Sequence, residues 1–208
     1  MTMLTDLADA CRKSGLPVVE VDGWRSRGHG QFAGVNSIVC HHTATSRSAA
    51  GDYPSLRIVR DGRSDLPGPL SQLGLGRNGT VYVIAAGVAW HAGATFYTRQ
   101  DNWHSIGIEA EHPGVGDWNP VQHAAYVRLV AALREHYGIP LSNVQGHKEV
   151  AKPVGRKIDP TFDMTDFRRR VRVLGRRESI TAKIVAAVAE KAALSKRIAR
   201  WREKRARL

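Results

Sequence analysis

Nine histidines in 208 residues raise the question of which could hold a metal. His41 and His42 close the apolar run Ile38–Cys40, so a buried strand would deliver imidazoles to the rim of a sheet. His147 follows Gly146 and opens the segment HKEVAKPVGRKIDP, in which one residue separates Lys157 from Asp159. Two imidazoles and a carboxylate from separate segments can make a three-ligand zinc site whose fourth position stays open for water. Such a site activates water for attack on an amide and polarises the carbonyl. Spacing alone does not select that chemistry: His41 and His147 are far apart in the chain, and each also fits a core or surface histidine. A second cue is Ser105–Glu111, SIGIEAE. There Ile106, Ile108 and Ala110 alternate with Gly107, Glu109 and Glu111, a half-buried strand with two carboxylates on its polar face.

These residues need elements to hold them. Thr2–Lys13 reads as a short helix ended by Gly15 and Pro17, and Val18–Val21 as a β-type run before the loop GWRSRGHGQFAG. Residues 36–41 read as a buried strand, Pro54–Arg60 as a helix and 61–69 as a loop. Leu73–Arg77 and Thr80–Ala85 flank Asn78-Gly79, the pair favoured by a type I′ hairpin turn, where both central residues have φ > 0. Asn119-Pro120 opens the clearest core helix, with Asn as N-cap and Pro in the first turn. Val121, Ala124, Ala125, Leu129, Ala132, Leu133 and His136 keep helical spacing up to Gly138. A further helix is expected from Asp163 through Phe167 and Val171. Strands alternating irregularly with helices predict an α/β fold: a single domain with a central mixed β-sheet flanked by helices, plus a C-terminal basic amphipathic helix.

Composition excludes several classes. At 42% apolar residues with 20 glycines, the chain is globular rather than disordered or collagen-like. No apolar run approaches the ~20 residues needed to span a bilayer. Cys11 and Cys40 are too few for a disulfide framework and are expected to be reduced. The segment MTMLTDLADACRKSG lacks an apolar h-region, so no signal peptide is expected.

The net charge of +12 is unevenly placed: residues 176–208 carry +8 of it and residues 1–175 only +4. The expected division is therefore a chemistry-bearing domain at 1–175 and a basic helical tail at 176–208. Residues 179–208 lack Gly and Pro and are rich in Ala, Lys, Arg and Leu, which predicts a helix with Ser179 as N-cap. Ile180, Ile184, Ala187, Leu194, Ile198, Trp201 and Leu208 form its apolar stripe. Such a helix suits an anionic membrane or wall polymer, with Trp201 at the interface. It also suits a second copy or its own domain, or nucleic-acid phosphates.

The segments IVCHHTAT (38–45), GLGRNGTVYVIAAG (74–87), WHAG (90–93), SIGIEAEHPG (105–114) and GHKEVAKPVGRKIDPTFD (146–163) resemble, in order, those of the type-2 N-acetylmuramoyl-L-alanine amidases. That family also includes the peptidoglycan recognition proteins. The resemblance covers roughly residues 20–172. VDGWRSRGHG and LPGPLSQLGLGRNG make the chain most similar to the amidase domain of endolysins from phages of actinobacteria.

The resemblance implies one Zn²⁺ per chain, bound by His41, His147 and Asp159. The first His of the pair matches the family ligand and His42 aligns with a neighbour of variable chemistry, so His42 is left out; strand alternation agrees, since only one of two adjacent side chains can face the metal. It implies that Glu109 is the catalytic carboxylate, taking a proton from the attacking water and passing it to the leaving amine. Glu111 is the competitor on the same face. Lys157 matches the residue that stabilises the oxyanion. His91, in WHAG, is expected either to contact the muropeptide or to be a buried structural histidine. Where some family members carry a tyrosine this chain has Ser71, which leaves more of the proton transfer to Glu109.

The activity implied is hydrolysis of the amide between N-acetylmuramic acid and the L-alanine of peptidoglycan. The setting implied is an endolysin made in the host cytoplasm without a signal peptide, acting at the bacterial cell wall after release. Peptidoglycan is then the main partner, and the tail adds an anionic membrane or wall polymer, or self-association. The envelope displaces nucleic acid as the expected polyanion. A peptidoglycan-binding module without turnover and a nucleic-acid-binding protein acting through its tail are the alternatives. Relatives that only bind lack one or more of the zinc ligands, and all three are present here.

Overall fold

The computed structural model describes residues 2–206, the side chains of 177–179, 182 and 198–206 excepted. Its elements are α1 (Leu7–Arg12), β1 (Val18–Glu20), β2 (Ser37–His42), α2 (Leu56–Asp61), β3 (Gly62–Arg63), β4 (Leu66–Pro67), β5 (Leu73–Leu75), β6 (Val81–Val83), β7 (Ser105–Ala110), α3 (Pro120–His136), β8 (Val144–Gly146), α4 (His147–Val150) and α5 (Met164–Ala206). Six strands form one sheet in the order β1-β6-β5-β7-β2-β8, and β3 and β4 form a separate hairpin. The β5–β6 pair is antiparallel and the other pairs of the large sheet are parallel. This is the mixed sheet expected from the sequence.

β2 lies between β7 and β8 and is buried at every position, as a parallel strand covered on both faces should be. Register aligns His41 with Glu109, Glu109 with Gly74, and Gly74 with Tyr82. One row across four strands therefore carries a histidine, a carboxylate, a glycine gap and a tyrosine on the same face. α3 buries Gln122, Ala125, Tyr126, Leu129 and Leu133. The Tyr126 hydroxyl accepts from His41 N (3.0 Å) and donates to Ile108 O (2.8 Å), tying this helix to the strands that carry the site.

Several local expectations are corrected. α1 begins at Leu7 rather than Thr2, because Thr2 pairs through both backbone groups with Phe32 (3.1 and 2.8 Å). The β5–β6 turn is not type I′. Gly79 has φ +91° but Asn78 does not have positive φ, and Gly79 N donates to Gly76 O. Asp52 Oδ1 takes the Asn78 N–H (2.7 Å), while Asn78 Oδ1 accepts from Thr80 N (3.0 Å). Asn119 caps α3 as expected, accepting from Val121 N at 2.9 Å. Val121 and Ala124, however, are exposed, and Gln122 takes the buried place beside them.

The chain divides into two compact units, Met1–Arg172 and Val173–Leu208. In the first, Met164, Phe167 and Val171 of α5 are buried. Ser179 is not an N-cap: α5 is one helix from Met164 to Ala206, so its backbone is helical on both sides of that residue. In the second unit Ile180, Ile184, Val185, Val188 and Leu194 are exposed. The stripe positions Ile198 and Trp201 (side chains) and Leu208 lie outside the described residues. Among the described residues, no helix is long and apolar enough to cross a membrane. Cys11 and Cys40 are buried and unpaired.

Candidate metal centre and active site

Near the end of β2, His41 lies in register with Glu109, and β8 pairs Gly146 with Cys40, which sets His147 at the start of α4 beside it. The 148–159 loop returns to the same point, where Lys148 N donates to Asp159 O at 2.7 Å. Three ligand-type atoms converge. His41 Nδ1 lies 3.0 Å from His147 Nδ1, and Asp159 Oδ2 lies 3.1 Å from each. All three residues are buried.

The hydrogen-bond network assigns the protons. His147 Nε2 faces the Ala92 carbonyl at 3.0 Å, so Nε2 carries the proton and Nδ1 presents a lone pair. His91 Nε2 faces the Ser105 carbonyl at 3.1 Å and is likewise the donor, leaving His91 Nδ1 to accept from His41 Nε2–H at 3.1 Å. His41 Nδ1 is therefore a lone pair too. Burial first, and the neighbouring His147 next, lower the His41 pKa to about 4. In this tautomer assignment two imidazole nitrogens and a carboxylate oxygen point electron pairs at one another across about 3 Å. A cation relieves that repulsion, and tetrahedral zinc with bonds of about 2.1 Å would need only slightly longer edges. The donor set fits a zinc ion, and the Ala92 carbonyl and His91 Nδ1 face the far nitrogens of His147 and His41 as the partners that orient metal-binding histidines do.

Beside this cluster Glu109 is half-buried, its Oε1 3.9 Å from His41 Nδ1, while its buried Oε2 has no hydrogen-bond partner in the protein. Burial first and the Asp159 charge second push its pKa up to about 8, with Lys157 opposing. Glu111 is fixed elsewhere. It accepts from Ser55 N (3.0 Å), Ser55 Oγ (3.2 Å) and Thr43 Oγ1 (3.1 Å), so it ties the loop after β2 to the sheet. Glu109 and Lys157 line one cavity of about 570 Å³ with Asp159 and His147, walled by the exposed Ile58 and Ile158. This cavity offers an ionisable base, an ammonium and two of the three candidate ligands, His147 and Asp159, to one bound group.

His91 is buried, and both its ring nitrogens are engaged within the protein. It also lines the cavity that holds Glu109, Lys157 and Asp159. Ser71 is fully buried and its hydroxyl has no partner. Sequence reasoning missed Arg156, whose guanidinium donates to Lys152 O, Ala92 O and Ala94 O (2.8–3.0 Å) and ties the Lys157 loop to the WHAG segment. It also missed Tyr126 and Tyr53. No spacing signal marks any of the three, because their partners lie on distant segments.

Fold and site together define the class: an α/β protein with a mixed sheet that carries a candidate His–His–Asp metal centre in an open cleft. The family profile of the N-acetylmuramoyl-L-alanine amidases matches residues 31–162, and the chain belongs to that family. Over 83 residues it is 34% identical to the 1,6-anhydro-N-acetylmuramyl-L-alanine amidase AmpD of Enterobacter cloacae. That match spans 38% of this chain and 43% of the relative's length. The fold is shared with the endolysin N-acetylmuramoyl-L-alanine amidase LysCS from Clostridium intestinale (TM-score 0.54, 21% identity, covering 76% of this chain and 98% of that one). It is also shared with the amidase AmiD of E. coli, solved with the substrate anhydro-N-acetylmuramic acid-L-Ala-D-γ-Glu-L-Lys. That likeness has a TM-score of 0.51 at 23% identity and covers 73% of this chain and 65% of AmiD.

Proposed function

We propose that this chain is a zinc-dependent hydrolase that cleaves the amide between N-acetylmuramic acid and L-alanine in peptidoglycan, and that it serves as a phage or prophage endolysin in host lysis. The observation that carries the proposal is the convergence of His41 Nδ1, His147 Nδ1 and Asp159 Oδ2 within 3.1 Å, beside a carboxylate with a free oxygen. Family membership names the bond, and the endolysin LysCS and the substrate complex of AmiD support the role and the substrate class.

In this proposal His41, His147 and Asp159 hold one zinc per chain. A zinc ion there supplies Lewis-acid polarisation of the amide carbonyl and a more acidic water. Glu109 takes the proton of the attacking water and returns it to the departing L-alanine amine. Lys157 sets its ammonium against the negative charge that grows on the carbonyl oxygen. His91 keeps the lone pair of His41 turned toward the ligand cluster.

Domain roles follow the charge: residues 1–175 carry the chemistry, and the basic tail, with its exposed isoleucines and valines, meets the anionic envelope. The test is metal analysis of the purified full chain beside its activity on purified peptidoglycan. One zinc per chain is expected, with metal and activity lost together in His147→Ala. A module that binds without turnover would hold peptidoglycan and show neither.

A further inference from the structure

Gly74 leaves a hole in the row that joins Tyr82, Glu109 and His41, and Tyr53 fills it. A Cβ placed on Gly74 would lie 2.3 Å from the Tyr53 ring and 2.6 Å from its hydroxyl, so the glycine is what lets the ring lie against the sheet. Tyr53 stacks on Tyr82 with centroids 5.0 Å apart and is 6% exposed. Its hydroxyl therefore comes down beside Gly74, whose register partner on the site side is Glu109. Both the Tyr53 hydroxyl and Glu109 Oε2 are buried without a hydrogen-bond partner, although such atoms normally find one.

Other acceptors nearby are committed. Glu111 accepts from Ser55 and Thr43, and Asp52 Oδ2 accepts from the Tyr82 hydroxyl at 3.0 Å. Glu109 Oε2, in the row beside Gly74, is an acceptor without a donor. Burial, reinforced by the charges of Glu109 and Glu111, raises the Tyr53 pKa well above the ordinary value, so the phenol keeps its proton and acts as a donor.

We infer that Tyr53 is a positioning residue for Glu109: its hydroxyl donates to Oε2 through one bridging water and holds the carboxylate in the orientation that receives the proton of the attacking water. The inference rests on the amidase reading above. It also explains why a tyrosine is buried with its polar end unsatisfied in the protein alone: the partner is a carboxylate that turns as it works.

The test is Tyr53→Phe in the full chain, which removes one oxygen and nothing else. If the hydroxyl holds Oε2, its removal costs one buried hydrogen bond, so the melting temperature is expected to fall by no more than a few degrees and the chain stays folded at the assay temperature. Zinc content and KM for purified peptidoglycan should be unchanged, while kcat falls about tenfold, the order expected for losing a hydrogen bond to a charged group. A kcat within twofold of wild type overturns the inference, and so does a loss that appears in KM or in zinc content with kcat unchanged. A wild-type chain inactive on peptidoglycan sinks the amidase reading and this inference with it, whereas an active wild type with an equally active Tyr53→Phe sinks the inference alone.

Discussion

His91 Nδ1 lies 3.1 Å from His41 Nε2, and that contact decides which nitrogen of His41 faces Asp159. Because His91 gives its own proton to the Ser105 carbonyl, it can only accept. The proton of His41 is therefore drawn away from the ligand cluster and its lone pair directed into it.

Replacing His91 by Ala removes the acceptor, so His41 becomes free to carry its proton on Nδ1. Loss of an outer-shell partner of this kind typically costs ~10–100-fold in metal affinity. Zinc competition against a chelator should show a loss of that order in His91→Ala. His91→Asn, which restores an acceptor oxygen near the Nδ1 position, should recover part of it. Unchanged affinity in His91→Ala would contradict the relay.

The two carboxylates at 109 and 111 should separate by measurement. Glu109→Gln should reduce kcat by ~10²–10⁴-fold, the usual span for a general acid–base, and leave folding intact. Glu111→Gln should instead lower the melting temperature, because it replaces an acceptor held by Ser55 and Thr43. Steady-state kinetics beside thermal unfolding of both variants decides this, and the reverse pattern would exchange their roles.

In the zinc-free protein, burial raises Glu109 to about 8 from an ordinary value of 4.5. Between those values the folded state holds a proton that the unfolded state has released, so this group's contribution falls as pH rises. The slope is at most ~1.4 kcal/mol per pH unit. Glu109→Gln cannot ionise and should gain stability relative to wild type from pH 5 to pH 8 in urea titrations. A wild type that keeps pace with the variant across that window would mean Glu109 is not held protonated by the fold.

Deleting residues 176–208 should leave hydrolysis of purified peptidoglycan nearly unchanged and abolish lysis of intact cells added from outside. Equal lysis by 1–175 would remove the envelope role from the tail. Loss of both activities would instead mean that the tail supports the catalytic unit.

Much of this arrangement was legible in the amino-acid sequence, and the part that was not has a common cause. The alternation Ile106, Ile108, Ala110 against Glu109 marks a strand and its polar face by itself, and Asn119-Pro120 marks a helix start by local chemistry. The mixed sheet followed from elements of this kind. What could not be read depends on partners distant in the chain. Glu111 is claimed by Ser55 from 56 residues away, and Asp52 occupies the Asn78 N–H and so changes the turn. His91 is set by a carbonyl 14 residues on, and Tyr53 reaches Gly74 across the sheet. The tail erred in the other direction. Ser179 has the chemistry of a cap, but the helix already under way from Met164 leaves no N-terminus there to cap.

The central claim is the bond that is cut and the cluster that cuts it. Mass spectrometry of purified peptidoglycan digested by the full chain should find stem peptides with free L-alanine amino termini and glycan strands of undiminished length, and His41→Ala should yield neither product above background. New reducing sugar ends, or equal release of L-alanine termini by His41→Ala, would contradict the account.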